Sequence, residues 1–158
     1  MTTNAAVVLT PTDLLNHWQG HRRVTRKTIE AFPENQLFTF SLGGMRTFGV
    51  LVKEMLGMTI PMVSGAITGE WKGYEDAPAN TKAEILKQWD ASTDELNALW
   101  PRLTTEKMQE TITAFGQYTD KLVMLLLYVI DNEVHHRGQG YVYLRALGVE
   151  PPAFWDRS

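Results

Sequence analysis

The chain of 158 residues contains no cysteine. That excludes a disulfide scaffold, a thiolate metal site, a cysteine nucleophile and a redox dithiol of the protein's own. It is compatible with a reducing compartment. Charge of one sign is also lacking: 15 Lys and Arg stand against 18 Asp and Glu, a formal net of −3. A domain that grips nucleic acid needs a basic face, and this balance supplies none. The single basic cluster, His21-Arg22-Arg23 with Arg26 and Lys27, is read as a solvated outer face of a helix. Long apolar runs are missing too. The longest, Leu122 to Ile130, has nine residues, whereas a membrane-spanning helix needs about 20. The opening MTTNAAVVLT lacks the basic start of a signal peptide. The sequence therefore predicts a cytoplasmic protein with neither nucleic acid nor membrane as a partner.

What is present suits a packed core. Hydrophobic residues make up 44% of the chain and aromatics 10%, too many for intrinsic disorder. The length fits one domain over 1–158, able to bury roughly two-thirds of its unfolded surface. Thr10-Pro11-Thr12-Asp13 opens a first helix with a capping residue, a proline at its first position and an acid three residues past the cap. Leu14, Trp18, Thr25, Ile29 and Phe32 recur at helical spacing, and Pro33 ends the run. A second helix is predicted from about Met45 to Ser64, with Gly57 and Pro61 implying a kink or an early stop. Gly65 to Asn80 reads as a loop whose Trp71 and Tyr74 fold back on the body. Thr81 and Glu84 form a capping box for a third helix ending near Trp100. Thr104 to Tyr118 fits either a short strand pair or an irregular crossover. A fourth helix is predicted from about Asp120 to Leu147, capped by Thr119 and closed by Gly148. Four such helices predict an all-α four-helix bundle.

The chemistry-bearing stretch is Asp131 to Gln139, where polar groups interrupt an otherwise apolar helix. Asn132 and His136, four residues apart, lie about 40° apart on one helix face. Such a pair, joined by a residue from a neighbouring helix, builds a three-ligand metal site in a bundle. The competing reading is a hydrogen-bonded core histidine. His17 and His21 share the same spacing, but their basic neighbours point to a polar helix face. The seven methionines are read as core filling. No nucleophile elbow, P-loop, Rossmann fingerprint or H-E-x-x-H occurs.

HHRGQ followed by YLRALGVEPP, from His135 to Pro152, resembles the DinB family of DinB/YfiT-like metalloenzymes. Weaker similarity covers the Trp18 helix, Met45-Arg46-Thr47-Phe48-Gly49 and the Trp71 loop. The resemblance implies a four-helix bundle with up-down-down-up topology, usually a homodimer, often holding a divalent metal through three histidines. Relatives of this kind include thiol-dependent S-transferases and isomerases. Carried over, the three histidine positions fall on Glu54, Asn132 and His136, of which only the last is histidine. One nitrogen and two oxygen donors bring Mn, Ni and Fe level with Zn. Glu54 sits about 90° from the centre of the second helix's apolar stripe, at the edge of its buried face. Arg137 and Gln139 are given structural roles, with Asp131 or Glu133 as the carboxylate Arg137 would meet.

Two functions follow as expectations. One is a divalent-metal-dependent enzyme acting on a thiol or other small-molecule substrate, with Glu54, Asn132 and His136 as ligands. The other is a metal-free, non-catalytic bundle with a binding or stress-response role. A homodimer is expected from apolar surplus at Leu86, Trp100, Met124, Leu127 and Tyr128, with Gly138 and Gly140 offering backbone for close approach.

Overall fold

Two capping boxes decide where helices begin in the computed structural model, which describes residues 7–73 and 77–158. Thr10 Oγ1 accepts from the Asp13 N–H at 3.1 Å and the Asp13 carboxylate accepts from the Thr10 N–H at 3.0 Å, opening α1 (Pro11–Ala31). Thr81 and Glu84 do the same for α3 (Lys82–Leu99). Helix α2 (Phe48–Thr68) begins three residues later than expected and passes through Pro61. Its buried positions Leu51, Val52, Met55, Met62, Val63 and Ala66 continue across the proline, and burial of that stripe outweighs one lost backbone bond. It stops at Gly69, whose φ of 77° favours glycine.

The crossover corrects the all-α expectation. A 3₁₀ turn (Trp100–Arg102) and a short α4 (Thr105–Gln109) lead into an antiparallel hairpin, β1 (Thr111–Ala114) with β2 (Tyr118–Lys121). β-branched Thr111, Ile112, Thr113 and Thr119 favour the extended form. Phe115 and Gly116, at φ 53° and 67°, are the first two of the three residues, 115–117, that turn the chain between the strands. The Phe115 ring packs 5.0 Å from that of Trp71, so Trp71 does fold back, while Tyr74 lies outside the described residues. Thr119 is consumed by β2, so α5 (Leu122–Ala146) starts at Leu122 without a side-chain cap. Gly148, at φ 74°, closes it as expected.

Helices α1 and α2 each pack against both α3 and α5. Among the described residues only α2 has the length and composition to cross a membrane, and half of that span is buried inside the fold as a core helix. The apolar core falls into two clusters. One gathers Leu14, Trp18, Met62, Leu96, Trp100, Leu126 and Ile130, the other Ile29, Phe32, Phe48, Met55, Ile85, Trp89 and Tyr143. Trp100 is therefore spent inside the chain, its Nε1–H donating to the Pro11 carbonyl at 2.7 Å. Gly140 is likewise covered, by the Phe48 ring.

Between the two clusters runs a buried polar belt, which overturns the solvated reading of His21 and Arg22. Arg22 is 1% exposed. Its guanidinium lies 4.2 Å over the Trp89 ring and donates to Ser92 Oγ at 2.5 Å and to the Trp89 carbonyl at 3.1 Å. Glu133, 2% exposed, accepts from Trp18 Nε1 at 3.0 Å and from Thr25 Oγ1 at 2.6 Å. Arg137 donates to the His21 carbonyl at 3.0 Å and to His21 Nδ1 at 3.1 Å. Its expected structural role stands, with a carbonyl and an imidazole as partners in place of Asp131 or Glu133. Arg23, by contrast, is exposed.

The belt makes stability depend on pH. Burial, with the nearby Arg137 and Arg157 guanidiniums and the His17 ring, pushes the His21 imidazole from 6.5 down to about 4. The unfolded chain therefore takes up a proton that the folded chain refuses, and stability falls as pH drops from 6.5 towards 4. The urea midpoint is expected to be lower at about pH 4.5 than at about pH 7, and His21→Gln should shrink that difference. Identical pH dependence in the two proteins would remove His21 as the cause.

Candidate polar site between α2 and α5

Glu54 lies in the second turn of α2 at the edge of its apolar stripe, and its side chain is 20% exposed. Asn132 and His136 project from successive turns of α5. The structure brings all three together. Glu54 Oε1 accepts from Asn132 Nδ2 at 3.0 Å and stands 3.0 Å from His136 Nε2. Its other oxygen, Oε2, is held by the Arg46 guanidinium. Burial alone would raise the Glu54 carboxyl, but hydrogen bonds from Arg46, Asn132 and His136 and the Arg46 charge outweigh it and hold it at about 2. The group is a carboxylate at any ordinary pH.

Two residues complete the site. His136 Nδ1 lies 2.8 Å from Gln139 Oε1, and Gln139 Nε2 reaches Met45 Sδ at 3.7 Å. The Tyr143 hydroxyl donates to the Arg46 carbonyl at 2.8 Å and fixes the segment that enters α2. Asn132 Oδ1 is buried with no hydrogen-bond partner. Spacing pointed to Asn132 and His136, and Gln139 was given a structural part, which it plays by orienting the ring. Arg46 was missed: it lies outside any helix, and only the Met45–Gly49 motif marked its neighbourhood. His135 is exposed and does not join the cluster. Among the described residues no three His, Asp or Glu side chains gather, so any third donor here is the Asn132 amide. A separate cavity of about 630 Å³, lined by Leu56, Pro61, Lys72, Gln88, Ser92 and Glu95, shares no residue with this cluster.

Fold and site together define a mostly helical protein in which an Asn-x-x-x-His-Arg-Gly-Gln helix faces a carboxylate on a second helix. The model of the DinB family matches residues 1–157, and the chain belongs to that family. It is similar to the uncharacterized protein YjoA of Bacillus subtilis (strain 168), at 23% identity over 148 residues, covering 91% of this chain and 96% of YjoA. The uncharacterized protein YrdA of the same organism is 24% identical over 143 residues, covering 89% of this chain and 85% of YrdA. The crystal structure of YjoA, a DinB-like protein, superposes with a TM-score of 0.75 at 23% identity, over 92% of this chain and 99% of that one. A DinB-like protein from Bacillus cereus ATCC 10987 gives 0.74 at 19% identity, over 93% and 99%.

Proposed function

We propose that this chain is a divalent-cation-dependent member of the family, with Glu54, Asn132 and His136 as ligands and a thiol or other small molecule as substrate. The reading takes the four long helices as an up-down-down-up four-helix bundle, in keeping with α1 and α2 each packing on α3 and α5. The observation that carries it is the meeting of a carboxylate, an amide and an imidazole at separations of 3.0 Å, close to the spacing of about 3 Å between neighbouring donors on a small octahedral ion. The orphaned Asn132 Oδ1 supports the same fit, because turning that amide would aim an oxygen donor at the cluster's centre.

A bound ion would supply Lewis-acid activation of a coordinated water or thiol, and the thiol would be the substrate's, since the chain has none. The chain's own residues do the rest. Gln139, 2.8 Å from Nδ1, holds the angle of the His136 ring. Arg46, whose side chain is 50% exposed, can leave Glu54 and hold an anionic group of the substrate at the rim.

Calorimetric titration with Mn, Ni or Zn tests the reading. The wild type is expected to bind weakly and reversibly to chelator, His136→Ala not at all. Glu54→His with Asn132→His should bind Zn or Ni at least about tenfold more tightly. No binding to wild type and no gain in the double variant would end the metal reading. One observation favours the metal-free alternative: Arg46 already neutralises the carboxylate a metal would need. That reading predicts no metal-induced rise in melting temperature.

A further inference from the structure

We infer, resting on the reading of Glu54, Asn132 and His136 as a cation site, that Arg46 is a latch on that site. It is an internal cation that competes with a divalent ion for Glu54 until an oxyanion draws it away, so that anion and cation bind with positive coupling.

The two oxygens of Glu54 serve different partners. Oε1 lies 3.0 Å from both Asn132 Nδ2 and His136 Nε2. Oε2 accepts from the guanidinium of Arg46, whose side chain is 50% exposed. The negative charge of the carboxylate is thereby cancelled before any ion arrives. A divalent ion at Oε1 would stand across one carboxylate from a guanidinium, and like charges that close repel strongly in a partly buried site. Asn132 brings no charge to offset the repulsion. How tightly a cation binds is therefore set by where the Arg46 charge lies.

The surroundings of Arg46 suit release. The residue precedes α2, and its carbonyl is pinned by the hydroxyl of the buried Tyr143 at 2.8 Å. Only the side chain has to move, and a half-exposed ion pair is held weakly. Among the described residues Arg46 pairs with no other carboxylate, so the freed guanidinium finds its counter-charge in solution. Its planar fork of donors matches an oxyanion, which it can hold through two parallel hydrogen bonds. A second donor stands at the same rim. Gln139 Nε2 spends its hydrogen bond on the sulfur of Met45, the neighbour of Arg46, at 3.7 Å. A thioether is a weak acceptor, and a carboxylate, sulfate or phosphate oxygen replaces it with gain. An oxyanion bound here does two things at once: it takes the guanidinium off Oε2 and sets negative charge near the incoming ion. By linkage, the cation strengthens anion binding by the same factor.

Calorimetric titration of Mn, with and without sulfate at constant ionic strength, tests the coupling. Arg46→Gln is expected to bind Mn at least about threefold more tightly than the wild type, the reverse of what losing a structural contact would do. Saturating sulfate should tighten Mn binding to the wild type at least about threefold and leave Arg46→Gln unmoved. Arg46→Lys keeps the charge and should retain part of the sulfate effect. The competition is also read without metal. Glu54→Gln removes the carboxylate charge, and sulfate should then shift the Arg46 Nε–H nuclear magnetic resonance at about a third of the concentration the wild type needs. Circular dichroism confirms that each variant is folded. If Arg46→Gln binds Mn no more tightly, or sulfate acts equally on both proteins, the latch is overturned and the cation site stands. Unchanged sulfate affinity in Glu54→Gln overturns the competition for Arg46 directly. If neither the wild type, Arg46→Gln nor Glu54→His with Asn132→His binds a divalent ion, the cation site itself is overturned and the coupling falls with it.

Discussion

Trp18→Ala is expected to lower the free energy of unfolding by about 5 kcal/mol, the cavity cost of a buried tryptophan combined with the cost of an orphaned acceptor. Trp18 is fully buried and packs edge-on against Trp100, with ring centroids 5.9 Å apart. Its Nε1–H is also one of two donors that hold the Glu133 carboxylate inside the core. Trp18→Phe separates the two contributions: most of the apolar volume stays and the donor goes, for an expected loss of about 1–3 kcal/mol. Urea unfolding followed by circular dichroism reads both. If the two variants lose the same amount, the hydrogen bond to Glu133 accounts for everything and the packing argument fails.

Gly140→Val should cost about 3 kcal/mol, although valine favours helix over glycine. A Cβ at this position would stand 2.5 Å from the Phe48 ring. That ring cannot yield, being fully buried and stacked on Phe32 at 4.7 Å. Because the clash has one partner, Phe48→Leu in the Gly140→Val background should return part of the loss even though Phe48→Leu alone is destabilising. Such coupling is expected of residues in contact. Simple additivity in thermal or urea unfolding would show that the cost of Gly140→Val arises elsewhere.

How much of this was legible in the sequence depended on the distance over which each feature is determined. The starts of α1 and α3 are written in four residues each, Thr10 to Asp13 and Thr81 to Glu84, and the structure keeps both. The meeting of Asn132 with His136 follows from helical spacing alone. The hairpin was harder, because four-residue strands carry little periodicity and Thr119 serves a strand as well as it serves a cap. Pro61 misled because a local penalty was set against burial that only the whole of α2 reveals. Arg22 was misread for the same reason. Nothing near it in sequence shows that Trp89, Ser92 and Thr93, about 70 residues away, offer a ring and three oxygens to a guanidinium. Glu54 was found through the family pattern, whereas its tie to Arg46 depends on how the chain enters α2, which no short motif specifies.

The polar belt also carries positional information. The two apolar clusters are lined largely by leucine, methionine, valine and isoleucine, residues that substitute for one another with modest cost. A helix slid by one turn, about 5.4 Å, would still find apolar neighbours along much of its length. It would not find acceptors for Arg22 or donors for Glu133, and an unpaired charge in an apolar layer is far more costly than an imperfect methyl contact. The belt therefore acts as an index mark along the helix axes. Apolar burial draws the helices together, and one ring of charged and hydroxyl groups decides at which height they lock.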